Sequence, residues 1–449
     1  MYQKLVRRVL GHCQFSMKYY STRDKSTKVS FREAVLTGIP LDKGLYFPET
    51  IPSLETEFIE ELSNLSNEDI AFECISKFSG KDIDEASLKR IVSETISFKF
   101  PCNKLSDDIS VLELFHGPTM AFKDVGARFT SRVLSYFNLS SKKKITVLVA
   151  TSGDTGAAVA SGFYGVEGVD VFILFPKDRI SKVQEKQITS LSGNIYPVEV
   201  NGSFDDCQRM VKEALTDNDL RFKFNFTTAN SINISRWIPQ TLYYFFAYKQ
   251  KTDNGKDIAV SIPSGNFGNL FSCLVAVGMG LPFQKVIASN NLNDTFTEFI
   301  ESNIYKPKKS VKTISSAMDV GDPSNFIRVV EFFLNDYKKI RELINAYSFD
   351  DNETKNCIKV LSEKYNYISD PHGAVGYLGV QKHKEKNKDF NYIFLGTAHF
   401  SKFMDEIRDC IKEPVGYPKK IGQLLSKEGE SHQIKTYLEF KNYINSIDS

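Results

Sequence analysis

The sequence has no run of about 18 apolar residues, so no membrane-spanning helix is expected. It has no Cys-x-x-Cys pair and no local Cys/His cluster. Its seven cysteines are scattered and odd in number, which gives no metal site and fits reduced thiols. Charge of one sign is also missing: the formal net charge is +2 over 449 residues. Binding to nucleic acid or a membrane surface through bulk charge is therefore not expected. No internal repeat or low-complexity segment is evident. The stretch Met1 to Ser16 carries Lys4, Arg7 and Arg8 and no acidic residue. Its apolar part is too short and too broken by charge for a secretory signal. A transit peptide is one reading of it. A leader or misassigned start is the preferred one, because Met17-Lys18-Tyr19-Tyr20 looks like a natural beginning. What is there is ordinary for a globular protein, with 41% hydrophobic and 25% charged residues. The length suits a large core and two or three domains.

The informative residue is Lys123, in Leu114-Phe115-His116-Gly117-Pro118-Thr119-Met120-Ala121-Phe122-Lys123-Asp124. A Gly-Pro turn delivers a lysine flanked by Phe122, and a helix is predicted over Val125 to Leu134. A lysine among apolar and aromatic neighbours loses its proton easily and becomes a nucleophile, suited to a Schiff base with pyridoxal phosphate. Alone this is weak, since most lysines lie on solvated faces. A glycine-rich turn far downstream strengthens it.

Residues 31 to 100 read as loop and helix, with helical spacing from Thr56 to Phe78 and from Asp84 to Ser93. From about residue 110, short apolar runs alternate with helical stretches. The predicted strands are Ile145 to Ala150, Val169 to Phe175, Ile195 to Val200, Ile258 to Ile262, Val286 to Ala288 and Tyr392 to Leu395. This alternation implies an α/β protein with mainly parallel sheets, whose ligands bind beyond the carboxyl ends of strands.

Four segments carry candidate ligand contacts, three of them directly after predicted strands. Thr151-Ser152-Gly153-Asp154-Thr155-Gly156 offers hydroxyls and amides before a small-residue helix, which suits an anion or is an ordinary capped turn. Pro263-Ser264-Gly265-Asn266-Phe267-Gly268-Asn269 makes a phosphate nest. It matches neither the nucleotide P-loop nor the dinucleotide G-x-G-x-x-G, so a compact monophosphate suits it better. Asn230, Ser231 and Arg236 can clamp an oxyanion, or cap a polar loop. In Leu395-Gly396-Thr397-Ala398-His399, the Thr397 hydroxyl can face an unprotonated pyridine nitrogen. His116, His372 and His399 read as packed or exposed histidines rather than catalytic ones.

Together these motifs resemble the threonine synthase family, pyridoxal-phosphate enzymes of fold type II (tryptophan synthase β-like). So do Lys18-Tyr19-Tyr20-Ser21-Thr22-Arg23-Asp24, Val29 to Val35, and Asp42-Lys43-Gly44-Leu45-Tyr46-Phe47-Pro48-Glu49. The resemblance runs from Met17 to near Cys410. It implies two open, mainly parallel-sheet α/β subdomains over residues 101–449, with the active site between them, after an N-terminal domain over 17–100. It implies that Lys123 carries the cofactor and later moves protons, with Phe122 beside it. Ser264, Gly265, Asn266, Phe267, Gly268 and Asn269 would hold the cofactor phosphate, and Thr397 would face its pyridine nitrogen. Thr151, Ser152 and Thr155 would line the substrate-anion side, with Asn230, Ser231 and Arg236 on the substrate phosphate. Asp154 stands where many fold-type II relatives have Asn against the cofactor's 3′ oxygen.

The implied reaction takes O-phospho-L-homoserine and water to L-threonine and phosphate by β,γ-elimination and replacement, the final step of threonine biosynthesis. Three rivals stay open: a phospholyase releasing 2-oxobutyrate, a serine or threonine dehydratase, and a catalytically dead homologue that binds a partner. The scattered thiols and the small net charge point to a cytoplasmic protein with no metal, nucleic acid or membrane partner, and the resemblance points to a monomer, with a homodimer as the alternative. The segment after Cys410 reads as surface structure.

Overall fold

The computed structural model describes residues 16–447 except 140, 142, 252, 253, 413 and 414. Apart from Ser16, the reading of the first 16 residues lies outside the described residues.

The N-terminal region opens with β1 (Tyr19–Ser21), β2 (Lys28–Val29) and β3 (Tyr46–Pro48), an antiparallel sheet in the order β2-β1-β3. The helix Phe31–Thr37 starts on a capping box, with Ser30 Oγ accepting from Glu33 N–H and the Glu33 side chain returning to the Ser30 amide. The helical spacing from Thr56 to Phe78 breaks into Thr56–Glu60, a 3-10 turn Leu62–Asn64 and the helix Asn67–Ser79. The break follows from Ser66, which turns extended and caps the third piece by accepting from Asp69 N–H. Asp84 likewise caps the helix Glu85–Thr95 rather than lying inside it.

Next come β4 (Cys102–Lys104), β5 (Ile109–Glu113), β6 (Ile145–Ala150), β7 (Val169–Pro176) and β8 (Ile195–Val200). They are followed by β9 (Asn225–Thr228), β10 (Asp257–Pro263) and β11 (Phe283–Asn290). The last three are β12 (Ile344–Ser348), β13 (Phe390–Gly396) and β14 (His432–Ile434). They form a five-stranded parallel sheet, β14-β8-β7-β6-β9, and a six-stranded sheet, β12-β11-β10-β13-β5-β4, in which only β4 runs antiparallel. All six residues of β6 are buried, as in a parallel strand covered on both faces. The predicted strands all appear. The unpredicted ones, such as β9 (Asn-Phe-Thr-Thr) and β12 (Ile-Asn-Ala-Tyr-Ser), lack a continuous apolar run.

The segment after Cys410 is more than surface. β14 pairs in parallel with β8 and extends the smaller sheet. The helix Tyr437–Ile447 then buries Phe440 and Ile444 against Phe172, Met210 and their neighbours. The charged stretch around Lys427–Glu430 hid this, because the buried residues Ile434, Phe440 and Ile444 are widely spaced among polar ones.

Candidate active site

Lys123 is the first residue of the helix Lys123–Asn138, two residues earlier than predicted. The turn that delivers it is tightly held. Met120 adopts a left-handed φ of 59° and its N–H donates to Gly117 C=O (3.1 Å). Thr119 donates to Asp124 through both its N–H (2.9 Å) and its hydroxyl (2.6 Å). Phe122 N–H donates to Thr397 C=O (2.8 Å), so the lysine turn is stitched to the end of β13. Burial brings the Lys123 ammonium down to about 8. Asp154 opposes that fall, and Lys402 and Arg236 add to it. The helix N-terminus also disfavours a cation at this position.

The glycine loop follows β10. Ser264 N–H donates to Ser289 C=O (2.8 Å), and Phe267 turns left-handed (φ 61°) to start the helix Gly268–Gly278. Gly265 is required by close approach: a Cβ there would stand 2.8 Å from Met318 Cα. Asn266 donates its amide to Ser231 Oγ (2.8 Å), and Asn325 donates to Asn266 C=O (2.8 Å). The loop is thus braced against the Asn230–Ser231 segment from outside.

Across the cavity, Thr151 Oγ1 accepts from Gly153 N–H (2.9 Å) and Gly156 N–H (2.8 Å), so its hydroxyl shapes its own loop. Asn230 clasps the end of β6, donating to Ala150 C=O (2.8 Å) and accepting from Ala150 N–H (3.3 Å). Arg236 is only 2% exposed. Its Nη1 donates to Ala229 C=O, and its Nε is buried with no hydrogen-bond partner among the described residues. Burial lowers its pKa to about 10. That Nε lies against Gly126, but a buried guanidinium on the cavity wall with no ion pair among the described residues is suited to an anion.

Every residue expected at the site from the sequence lines one cavity of about 130 Å³, set between the strand ends of the two larger sheets. The residues present therefore fit a phosphorylated pyridine aldehyde: a lysine of lowered pKa, a glycine cradle at a helix start, and a hydroxyl at a strand end. Sequence reasoning missed several neighbours. Lys402 makes an ion pair with Asp154 (2.6 Å) in which the side chains are 0% and 4% exposed. Gln184 donates to the same Asp154 oxygen (2.9 Å). Burial alone would raise the Asp154 carboxyl, but Lys402 and Lys123 outweigh it and hold it well below the usual range. His372 also lines the cavity. Its Nδ1 contacts Asp370 Oδ2 (2.6 Å), and its Nε2 accepts from Ala317 N–H (3.1 Å), fixing the cavity wall. His399 is packed on Phe400, with burial pushing its pKa down to about 4, and His116 contacts Glu113 (2.7 Å) outside the cavity. The one available signal for Lys402 was a lysine in the apolar segment Phe400-Ser401-Lys402-Phe403-Met404, five residues past Thr397.

Residues 100–393 match the family described as "Pyridoxal-phosphate dependent enzyme". The chain is thus a pyridoxal-phosphate enzyme of fold type II. Residues 18–96 match "Threonine synthase N terminus" and residues 373–444 match "Threonine synthase, C-terminal", so the likeness continues past Cys410. The threonine synthase of Serratia marcescens is 40% identical over 406 residues, 90% of this chain and 93% of that protein. The crystal structure of threonine synthase from Escherichia coli superposes with a TM-score of 0.91 at 37% identity, covering 96% of this chain and 100% of the other. A PLP-bound threonine synthase from Brucella melitensis gives 0.89 at 32% identity, covering 96% and 99%. The chain belongs to the threonine synthase family.

Proposed function

We propose that the cavity converts O-phospho-L-homoserine and water to L-threonine and phosphate. When bound, pyridoxal phosphate supplies an electron sink for the charge left as protons depart from the substrate's Cα and Cβ. Lys123 anchors that group and, once released, its amine takes the Cα proton at Nζ. An amine lowered to about 8 is a better base near neutrality than an ordinary lysine. Ser264 to Asn269 hold the cofactor phosphate on the N–H groups at a helix start. Thr397 faces the pyridine nitrogen, and Asp154 and Phe122 orient the ring beside Lys123.

The substrate phosphate is gripped by Arg236 with Ser231, Ser152 and Thr155, while Asn230 and Thr151 hold the loops that present them. Closing of the cavity walls over bound substrate would keep bulk water from the reacting carbons until phosphate has left. The observation that carries this reading is the buried Arg236 on the cavity wall, read as a second anion receptor. A dehydratase acting on serine or threonine has one phosphate to hold, that of the cofactor. Here Arg236, a buried guanidinium that lines the same cavity, supplies a further site. Among the described residues no helix is long and apolar enough to cross a membrane, and the enzyme is proposed to work in the cytoplasm.

The test is a product assay on purified protein with O-phospho-L-homoserine, following phosphate, threonine and 2-oxobutyrate together. Threonine in step with phosphate supports the synthase. Phosphate with 2-oxobutyrate makes it a phospholyase; no phosphate release removes the substrate assignment.

A further inference from the structure

Lys402 has no role in the reaction as derived above, yet it is fully buried beside it. Its ammonium meets the Asp154 carboxylate at 2.6 Å and donates to Thr119 C=O at 3.0 Å. Thr119 is the residue whose N–H and hydroxyl hold Asp124, one position after Lys123. The same carbonyl receives Gln187, and Gln184 completes the grip on Asp154. Lys402 thus joins the cavity carboxylate to the turn that presents Lys123.

The charged groups facing Lys123 are Asp154, Lys402 and Arg236, with Asp124 and Arg128 following on its own helix. An unpaired Asp154 in this buried setting would favour a positive charge on the Lys123 nitrogen. We propose that Lys402 is a positioning residue for Lys123: it holds Asp154 as a fixed buried ion pair, so the nitrogen sits beside a neutralised pair rather than a bare carboxylate. The inference rests on Lys123 being the cofactor-bearing residue.

The experiment titrates the visible absorbance of the holoenzyme's bound cofactor with pH, reading the protonation of the nitrogen at Lys123. Wild type is compared with Lys402→Arg, Lys402→Met, Asp154→Asn and the double variant Lys402→Met/Asp154→Asn. Lys402→Met should raise the midpoint by about 1–2 pH units. Lys402→Arg should leave it in place, Asp154→Asn should lower it, and the double variant should return it toward wild type. If the wild-type band is constant with pH, the same ordering is read from the pH dependence of pyridoxal phosphate recapture by the cofactor-stripped chain.

A purely structural role would lower the yield of folded protein without moving the midpoint. An unmoved midpoint in Lys402→Met overturns the proposal. If that variant does not fold, equal midpoints for Asp154→Asn and the double variant overturn it. Absence of any visible band in wild-type protein loaded with pyridoxal phosphate overturns the underlying reading of Lys123 instead.

Discussion

Chemistry at the residue scale turns on two buried cations. Lys123→Ala should abolish both turnover and the visible absorbance of bound cofactor; a variant keeping both would remove the lysine from its role. Since Lys123 is lowered to about 8, its neutral, nucleophilic form grows as pH rises through that value. Cofactor capture by stripped protein should therefore accelerate with pH and level off above about 8, well below an ordinary lysine. Stopped-flow absorbance measures it. Arg236→Ala should weaken binding of the phosphorylated substrate by about 2–4 kcal/mol, seen as a raised KM, because a buried charge pair is lost. Lys123 was legible because a Gly-Pro turn and aromatic neighbours mark it locally. Arg236 was legible only with its neighbours. Lys402 was not, because its meaning comes from Asp154, almost 250 residues away in the chain, and no local pattern encodes that contact.

Elements whose own residues decide their form were the easiest to read. Ile145 to Ala150 and Ile195 to Val200 are strands over the predicted bounds; the first is an apolar run buried on both faces, and the second is rich in Ile and Val although Tyr196 and Glu199 are partly exposed. β9 and β12 owe their strand form to neighbours already in place rather than to their own residues, so they were invisible. The split after Thr56 shows the opposite failure: helical spacing persisted through Leu65-Ser66, while the cap at Ser66 started a new axis. The glycine loop does start a helix, as read from the sequence, but its wall, Ala317 and Met318, lies in a short 3-10 turn that left no signal. That wall makes a sharp prediction. Gly265→Val would drive a side chain into Met318 backbone, 2.8 Å from the first added carbon. Cofactor affinity should fall at least about tenfold, or 1.4 kcal/mol, in an absorbance titration.

For the whole molecule, the two larger sheets face each other through their strand ends, and the C-terminal tail closes the edge of one of them. Truncation after Glu428 would remove Ile434, Phe440 and Ile444, which are at most 3% exposed. At about 1.5–3 kcal/mol for each buried aliphatic or aromatic side chain, the loss should be several kcal/mol in a denaturant melt. An unchanged melt would make the tail an accessory. The six-stranded sheet carries a different consequence. β13 lies between β10 and β5, yet it is the last of those strands to be made, about 280 residues after β5. At roughly 5–20 residues per second on the ribosome, β5 waits some 15–55 seconds for its neighbour. Thr397 and Lys402 emerge with that same late strand. A nascent chain therefore has its lysine and its glycine loop long before it has a closed pocket, and tight cofactor capture should be an event of the finished polypeptide.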